Sequence, residues 1–153
     1  MEKMEKTLII LKPDAVDRHL VGKILARFEA KGLQIAAMKF GMISPEQAAT
    51  HYAAHRERHF YNDLVTFMTG GAVVLVVLTG ENVISVARKL MGKTNCAEAE
   101  PGTIRGDFGM SGQFNLVHGS DSLEAAEREI NIFFSPGEVF EFQHSDGKWL
   151  RTP

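Results

Sequence analysis

Apolar positions along the chain follow two rhythms, one nearly continuous over short runs and one recurring every three to four residues. Thr7 to Lys12 (TLIILK) is an aliphatic, β-branched run closed by Pro13, which predicts a buried central strand. In His19 to Gly32, residues Leu20, Val21, Ile24, Leu25 and Phe28 share one helical arc, the charges fall opposite, and Gly32 supplies the stop. Ile35 to Ile43 predicts a second strand, and Ser44-Pro45-Glu46-Gln47 then reads as a cap with proline at the first helical position, opening a helix to about Tyr52. A short helix over Phe60 to Met68 ends at Gly70 and Gly71. The clearest strand is Ala72 to Leu78 (AVVLVVL), closed by Gly80. Glu81 to Gly92 predicts an amphipathic helix, and Lys93 to Gln113 a long polar loop with a helical turn. Phe114 to Val117 predicts a fourth strand, and Asp121-x-x-Glu124 a capped helix with its apolar face at Leu123, Ala126, Ile130 and Phe133, terminated by Pro136 and Gly137.

The order β-α-β-(αα)-β-α-β-α gives a sandwich of one sheet and its helices, without fixing strand directions. Neither repeat nor linker divides it, so one domain spanning residues 1–153 is expected. With 44% hydrophobic and 24% charged residues the chain can build a core, and a net charge of -2 gives no global attraction to nucleic acid or acidic lipid. An anion site must therefore be a local cluster of basic groups. Cys96, the only cysteine, has no disulfide partner within the chain, and the apolar run near the start is too short for a signal peptide or membrane span. A cytoplasmic protein with no membrane partner is the expectation.

Two tempting motifs fail. Gly92-Lys93-Thr94 ends like a phosphate-binding P-loop, but the earlier glycine that loop needs is Ala87, and a helix leads into it. Arg105-Gly106-Asp107-Phe108-Gly109 loosely matches an RNA-binding signature that requires stacking aromatics on a strand, whereas here a loop is predicted.

His118, in Asn115-Leu-Val-His-Gly-Ser-Asp-Ser122, is a stronger candidate. Asn115, Ser120 and Asp121 are polar neighbours able to orient it, and it precedes a helix N-terminus that favours a nearby anion. Glu129 sits two turns along that helix, about 40° from Phe133 at 100° per residue, where it can reach back to hold the ring. A carboxylate on one ring nitrogen fixes the tautomer and leaves the other as a nucleophile. Lys12, Arg88 and Arg105 place positive groups near strand and loop ends, and arginine's planar fork suits phosphate.

Together with "IILKPDAV", "HY" at His51-Tyr52, "TN" at Thr94-Asn95 and "PGTIRGDF", these residues make the whole chain resemble the nucleoside diphosphate kinase family. The resemblance implies a ferredoxin-like α+β sandwich, βαββαβ, with a four-stranded antiparallel sheet covered by helices. It implies transfer of the γ-phosphate of a nucleoside triphosphate, chiefly ATP, to a nucleoside diphosphate through a phosphohistidine at His118, with broad base and sugar specificity. On the matching positions, Glu129 orients the ring, Ser120 and Asn115 are polar neighbours, and Lys12, Arg88, Thr94 and Arg105 contact phosphate. Tyr52 places its hydroxyl close to the transferred group, Phe60 stacks on the base with Leu64 beside it, and Asp121 lies near the metal. The implied cofactor is Mg²⁺, held mainly by substrate phosphates. The implied partners are nucleoside di- and triphosphates and further copies of the chain, as a tetramer or hexamer, with no requirement for nucleic acid.

The chain also departs from the family pattern. Ser111-Gly112-Gln113-Phe114 stands where Gln-Val-Gly-Arg is usual, removing an apolar contact at Gly112, and Cys96 and His59 each replace a proline. The tail ends Trp-Leu-Arg-Thr-Pro without a tyrosine-acid pair. The alternative reading is a catalytically silent paralogue that keeps the fold to bind nucleotides or partners. Retention of His118, Lys12, Arg88, Arg105 and Glu129 together argues against it.

Overall fold

The structure, a computed structural model, describes residues 4–153. Its strands are β1 (Met4–Leu11), β2 (Gln34–Gly41), β3 (Val73–Glu81) and β4 (Val117–Gly119), arranged β2-β3-β1-β4 with every neighbouring pair antiparallel. β1 and β3 hold the centre, and their runs are continuously apolar because both faces of the sheet are covered. The helices are α1 (Pro13–Asp17), α2 (Val21–Lys31), α3 (Pro45–His51), α4 (Tyr61–Thr69), α5 (Val83–Met91), α6 (Ile104–Phe108), α7 (Leu123–Phe133) and α8 (Gly147–Leu150). α2 crosses from β1 to β2 and α5 from β3 to β4, each crossover skipping one strand. This gives the ferredoxin-like α+β sandwich, with α3 and α4 inserted between β2 and β3.

Alternation along β1 divides the core in two. Ile9 and Leu11 join Val74, Val76 and Leu78 under α2 and α5, whereas Leu8 and Ile10 join Val73, Leu75 and Val77 beneath α3, α4 and α7. His118 pairs with Ile10 in the β1–β4 register, so it shares the second face and meets α3 and α7.

Four local expectations are corrected. The fourth strand does not begin at Phe114. Leu116 takes φ +73, and Val117 N–H donates to the Asn115 carbonyl at 2.8 Å, so a tight γ-turn delays entry to the sheet until Val117 and puts His118 within the strand. The following helix is capped by Ser122, whose Oγ accepts from Ala125 N–H at 3.0 Å, leaving Asp121 outside the cap. Pro13 opens α1 as well as ending β1, because Lys12 stays extended, as a residue before proline prefers. β2 starts one residue earlier than expected and stops at Gly41, with a bulge between Ile35 and Ala37.

Candidate active site

His118 is fixed from the sheet outwards. Its neighbour Ser120 is fully buried, donates its N–H to the Leu8 carbonyl at 3.1 Å, and accepts Leu8 N–H on Oγ at 3.1 Å. Ser120 Oγ–H donates in turn to Glu129 Oε1 at 2.9 Å, and the same oxygen accepts from His118 Nε2 at 2.7 Å. Burial pulls the Glu129 carboxyl upward, but the hydrogen bond and charge of His118, then the Ser120 hydroxyl, outweigh it and hold the group below the ordinary carboxylate range. An ionised Glu129 can only accept, so Nε2 carries a proton, and in the neutral ring the lone pair is on Nδ1. Among the described residues no hydrogen bond occupies Nδ1.

The cations come from three further elements. Lys12, at the junction of β1 and α1, donates Nζ–H to Asn115 Oδ1 at 2.8 Å, while Asn115 Nδ2–H donates to the Thr94 carbonyl at 3.1 Å. The γ-turn that aims Asn115 is itself anchored, since Leu116 N–H donates to Asp14 Oδ2 at 3.1 Å and its carbonyl accepts Lys12 N–H at 2.8 Å. Arg88 on α5 donates to the Gly119 carbonyl at 3.1 Å. Arg105 is buried at 6% exposure, and its guanidinium donates to the carbonyls of Asn115, Gly92 and Val117 at 3.1, 3.0 and 2.7 Å. It therefore ties the 92–117 segment together before it meets any ligand, with two of its five N–H groups left over. Burial, followed by the charge of Arg105, lowers the Lys12 ammonium to about 8, with Asp14 and Cys96 opposing. Burial is also the main force raising the Tyr52 phenol, so that hydroxyl stays protonated.

These groups surround a cleft of about 420 Å³. Its walls include Lys12, Tyr52, Arg88, Thr94, Arg105, Asn115, His118, Asp121 and Glu129, so most of the residues singled out in the sequence converge here. Ser120 lies behind the wall, acting on Glu129. Phe60 and Leu64 do not line the cleft. Phe60 sits at the N-terminal end of α4, half exposed, with the His55 and His59 rings 5.6 and 5.5 Å away. The structure adds His51, His55 and Arg128 to the lining. His51 appears in the sequence only as half of a motif, and no periodicity marks its ring as a neighbour of His118.

The departures also find a physical setting. Phe114 packs its ring 5.1 Å from Phe67 of α4, linking the long loop to the helical pair, and Gly112 lies against the Asn95 side chain. Cys96 is buried beside Gly109. Among the described residues no group of three or more His, Cys, Asp or Glu side chains could cage a metal ion, and no helix is long and apolar enough to cross a membrane. A hard divalent cation that keeps several waters needs only one or two carboxylates from the protein, and Asp121 at the cleft could supply one.

The sequence model of the family described as Nucleoside diphosphate kinase matches residues 5–139. A nucleoside diphosphate kinase of Halalkalibacterium halodurans is 52% identical over 147 residues, covering 96% of this chain and all of that protein. One from Methanocaldococcus jannaschii is 53% identical over 137 residues, covering 90% and 98%. Among solved structures, the halophilic enzyme of Halobacterium salinarum in complex with CDP superposes with a TM-score of 0.95 at 41% identity, covering 98% of this chain and 100% of that one.

Proposed function

The chain belongs to the nucleoside diphosphate kinase family and is an enzyme of that class, and we propose that His118 is the nucleophile of its phosphoryl transfer. The observation that carries this reading is the 2.7 Å contact from His118 Nε2–H to Glu129, which leaves Nδ1 free in a ring that lines a cleft walled by Lys12, Arg88 and Arg105.

Enzymes of this family act on nucleotides and work with a divalent cation. In the proposed course, Nδ1 attacks the γ-phosphorus of a nucleoside triphosphate, a phosphorus–nitrogen bond forms, and the bond to the β–γ bridging oxygen breaks with its electron pair leaving on the diphosphate. A second diphosphate then reverses the step with its own terminal oxygen. The transition state spreads charge over the equatorial oxygens, so Lys12, Arg88 and Arg105 act by electrostatic stabilisation, and Asn115 and Thr94 by positioning. Glu129 stabilises the positive charge that develops on the ring, Ser120 holds Glu129, and the protonated Tyr52 hydroxyl donates to the transferred group. Mg²⁺, arriving on the substrate phosphates with Asp121 nearby, would supply charge neutralisation. Phe60 and Leu64 hold the base by stacking and apolar contact from outside the catalytic cleft, which admits many bases because every base presents a π-face.

Residues 1–153 act as one cytoplasmic domain. Copies assemble as a tetramer or hexamer, supported by edge strand β2, which exposes Met38 and Phe40, with exposed Met42 just past its end. The test is steady-state kinetics with ATP and varied diphosphates. Parallel double-reciprocal lines and turnover of several bases are expected, whereas intersecting lines would point to direct transfer between two bound nucleotides and remove His118 from the path.

A further inference from the structure

Beside His118 stands a second imidazole that the transfer steps leave unused. His51 ends α3, and its ring lies 4.8 Å from that of His118 with 83° between the planes. This edge-to-face geometry is attractive between aromatic rings. His51 is itself braced, with the Tyr52 ring at 4.5 Å and 72° and the Phe133 ring at 5.4 Å and 65°. Its Nδ1 is buried without a hydrogen-bond partner. Burial, and then His118, depress its basicity to about 4, with Glu129 opposing and Lys12 and Arg128 adding to the depression. The ring is therefore uncharged at neutral pH.

One hydrogen bond fixes a point on the His118 ring but not its plane. The Nε2–Glu129 contact alone would allow the imidazole to swing about Cβ–Cγ, carrying Nδ1 off the line of attack. A rigid ring packed edge-to-face against it, braced by Tyr52 and Phe133, removes that freedom. A charged ring in the same place would repel the imidazolium that builds up during transfer and compete with it for Glu129. Neutrality therefore matters as much as shape.

We propose that His51 is a positioning residue whose uncharged ring walls in His118, keeping Nε2 on Glu129 and Nδ1 aimed into the cleft. The inference rests on the assignment of His118 as phosphoryl acceptor. It is tested with full-length His51→Ala, His51→Gln and His51→Phe proteins, each checked for folding. The measurements are single-turnover phosphorylation by Mg²⁺-ATP, nucleotide affinity, and ¹⁵N shifts of the His118 ring without nucleotide.

Loss of the ring in the Ala and Gln variants should slow phosphorylation by about tenfold or more, leave the dissociation constant within about twofold, and move the His118 nitrogen shifts towards a tautomer mixture. The Phe variant, which keeps a neutral ring, should recover most of the lost rate. Wild-type rates and shifts in the Gln variant, or a Phe variant as slow as the Gln one, would overturn the proposal. If the wild type itself forms no phosphoenzyme, the assignment of His118 fails instead. The ring shifts, read without nucleotide, then still decide whether His51 fixes the imidazole.

Discussion

Lys12 is the cation whose charge the fold makes most conditional. Held at about 8 by burial and Arg105, it loses its proton in the empty cleft at mildly alkaline pH, and a bound phosphate should restore it. The expected result is a fall in kcat/KM as pH rises through about 8, with proton uptake on nucleotide binding near that pH. Calorimetry in buffers of different ionisation heat would detect the uptake, and Lys12→Arg should abolish it. For stability the sign is opposite. A lysine depressed from 10.5 to about 8 penalises the folded state while charged, so this group stabilises the fold progressively as pH rises between those values. Glu129 makes the second residue-scale prediction. Glu129→Gln can donate to Nε2 and so favours the tautomer with its proton on Nδ1, and kcat should fall by about two to four orders of magnitude, with little change in nucleotide affinity. A fall below about tenfold in stopped-flow phosphorylation would show that the carboxylate does not set the tautomer.

At the scale of elements, the site depends on how the polar segment between α5 and β4 is folded around the short helix α6. Arg105 reaches its three carbonyls from α6, and that helix also approaches the backbone at Glu100 closely. At Gly106 an added Cβ would overlap the Glu100 carbonyl. Gly106→Ala should therefore destabilise the protein by about 1–3 kcal/mol, measured by urea unfolding, and lower activity by displacing Arg105. The same elements show what a sequence can reveal. Continuous apolar runs exposed β1 and β3, helical arcs exposed α2, α5 and α7, and motif residues named most of the cleft wall. Directions of strands were not legible from periodicity, because a strand buried on both faces has the same composition whichever way it runs. The γ-turn at Leu116 was missed because nothing in a leucine signals positive φ, and the shift of cap from Asp121 to Ser122 because both are good capping residues. His51 is not legible as a neighbour of His118 because their proximity arises from α3 packing beside α7 over the sheet face that carries His118, a relation without local signature.

At the scale of the whole molecule, the sheet buries both faces, and the outer edge of β2 is met by Phe140 N–H at the Ala36 carbonyl, while farther along Phe40 is 71% exposed with Met38 and Met42 flanking it. Covering this edge with another copy is the physical role proposed for assembly. Phe40→Glu should shift the protein to smaller species in sedimentation at unchanged monomer fold, whereas an unaltered mass would place the interface elsewhere. All of the chemistry, however, depends on one imidazole taking up a phosphoryl group. Intact-mass spectrometry of the native protein and of His118→Gln, after exposure to Mg²⁺-ATP and separation from nucleotide, reads this directly. The native chain should gain one HPO₃ unit, localised to His118 and lost on adding a nucleoside diphosphate, while the variant gains none. An unmodified native chain that nonetheless turns over, or a variant carrying the same added mass, would refute the assignment.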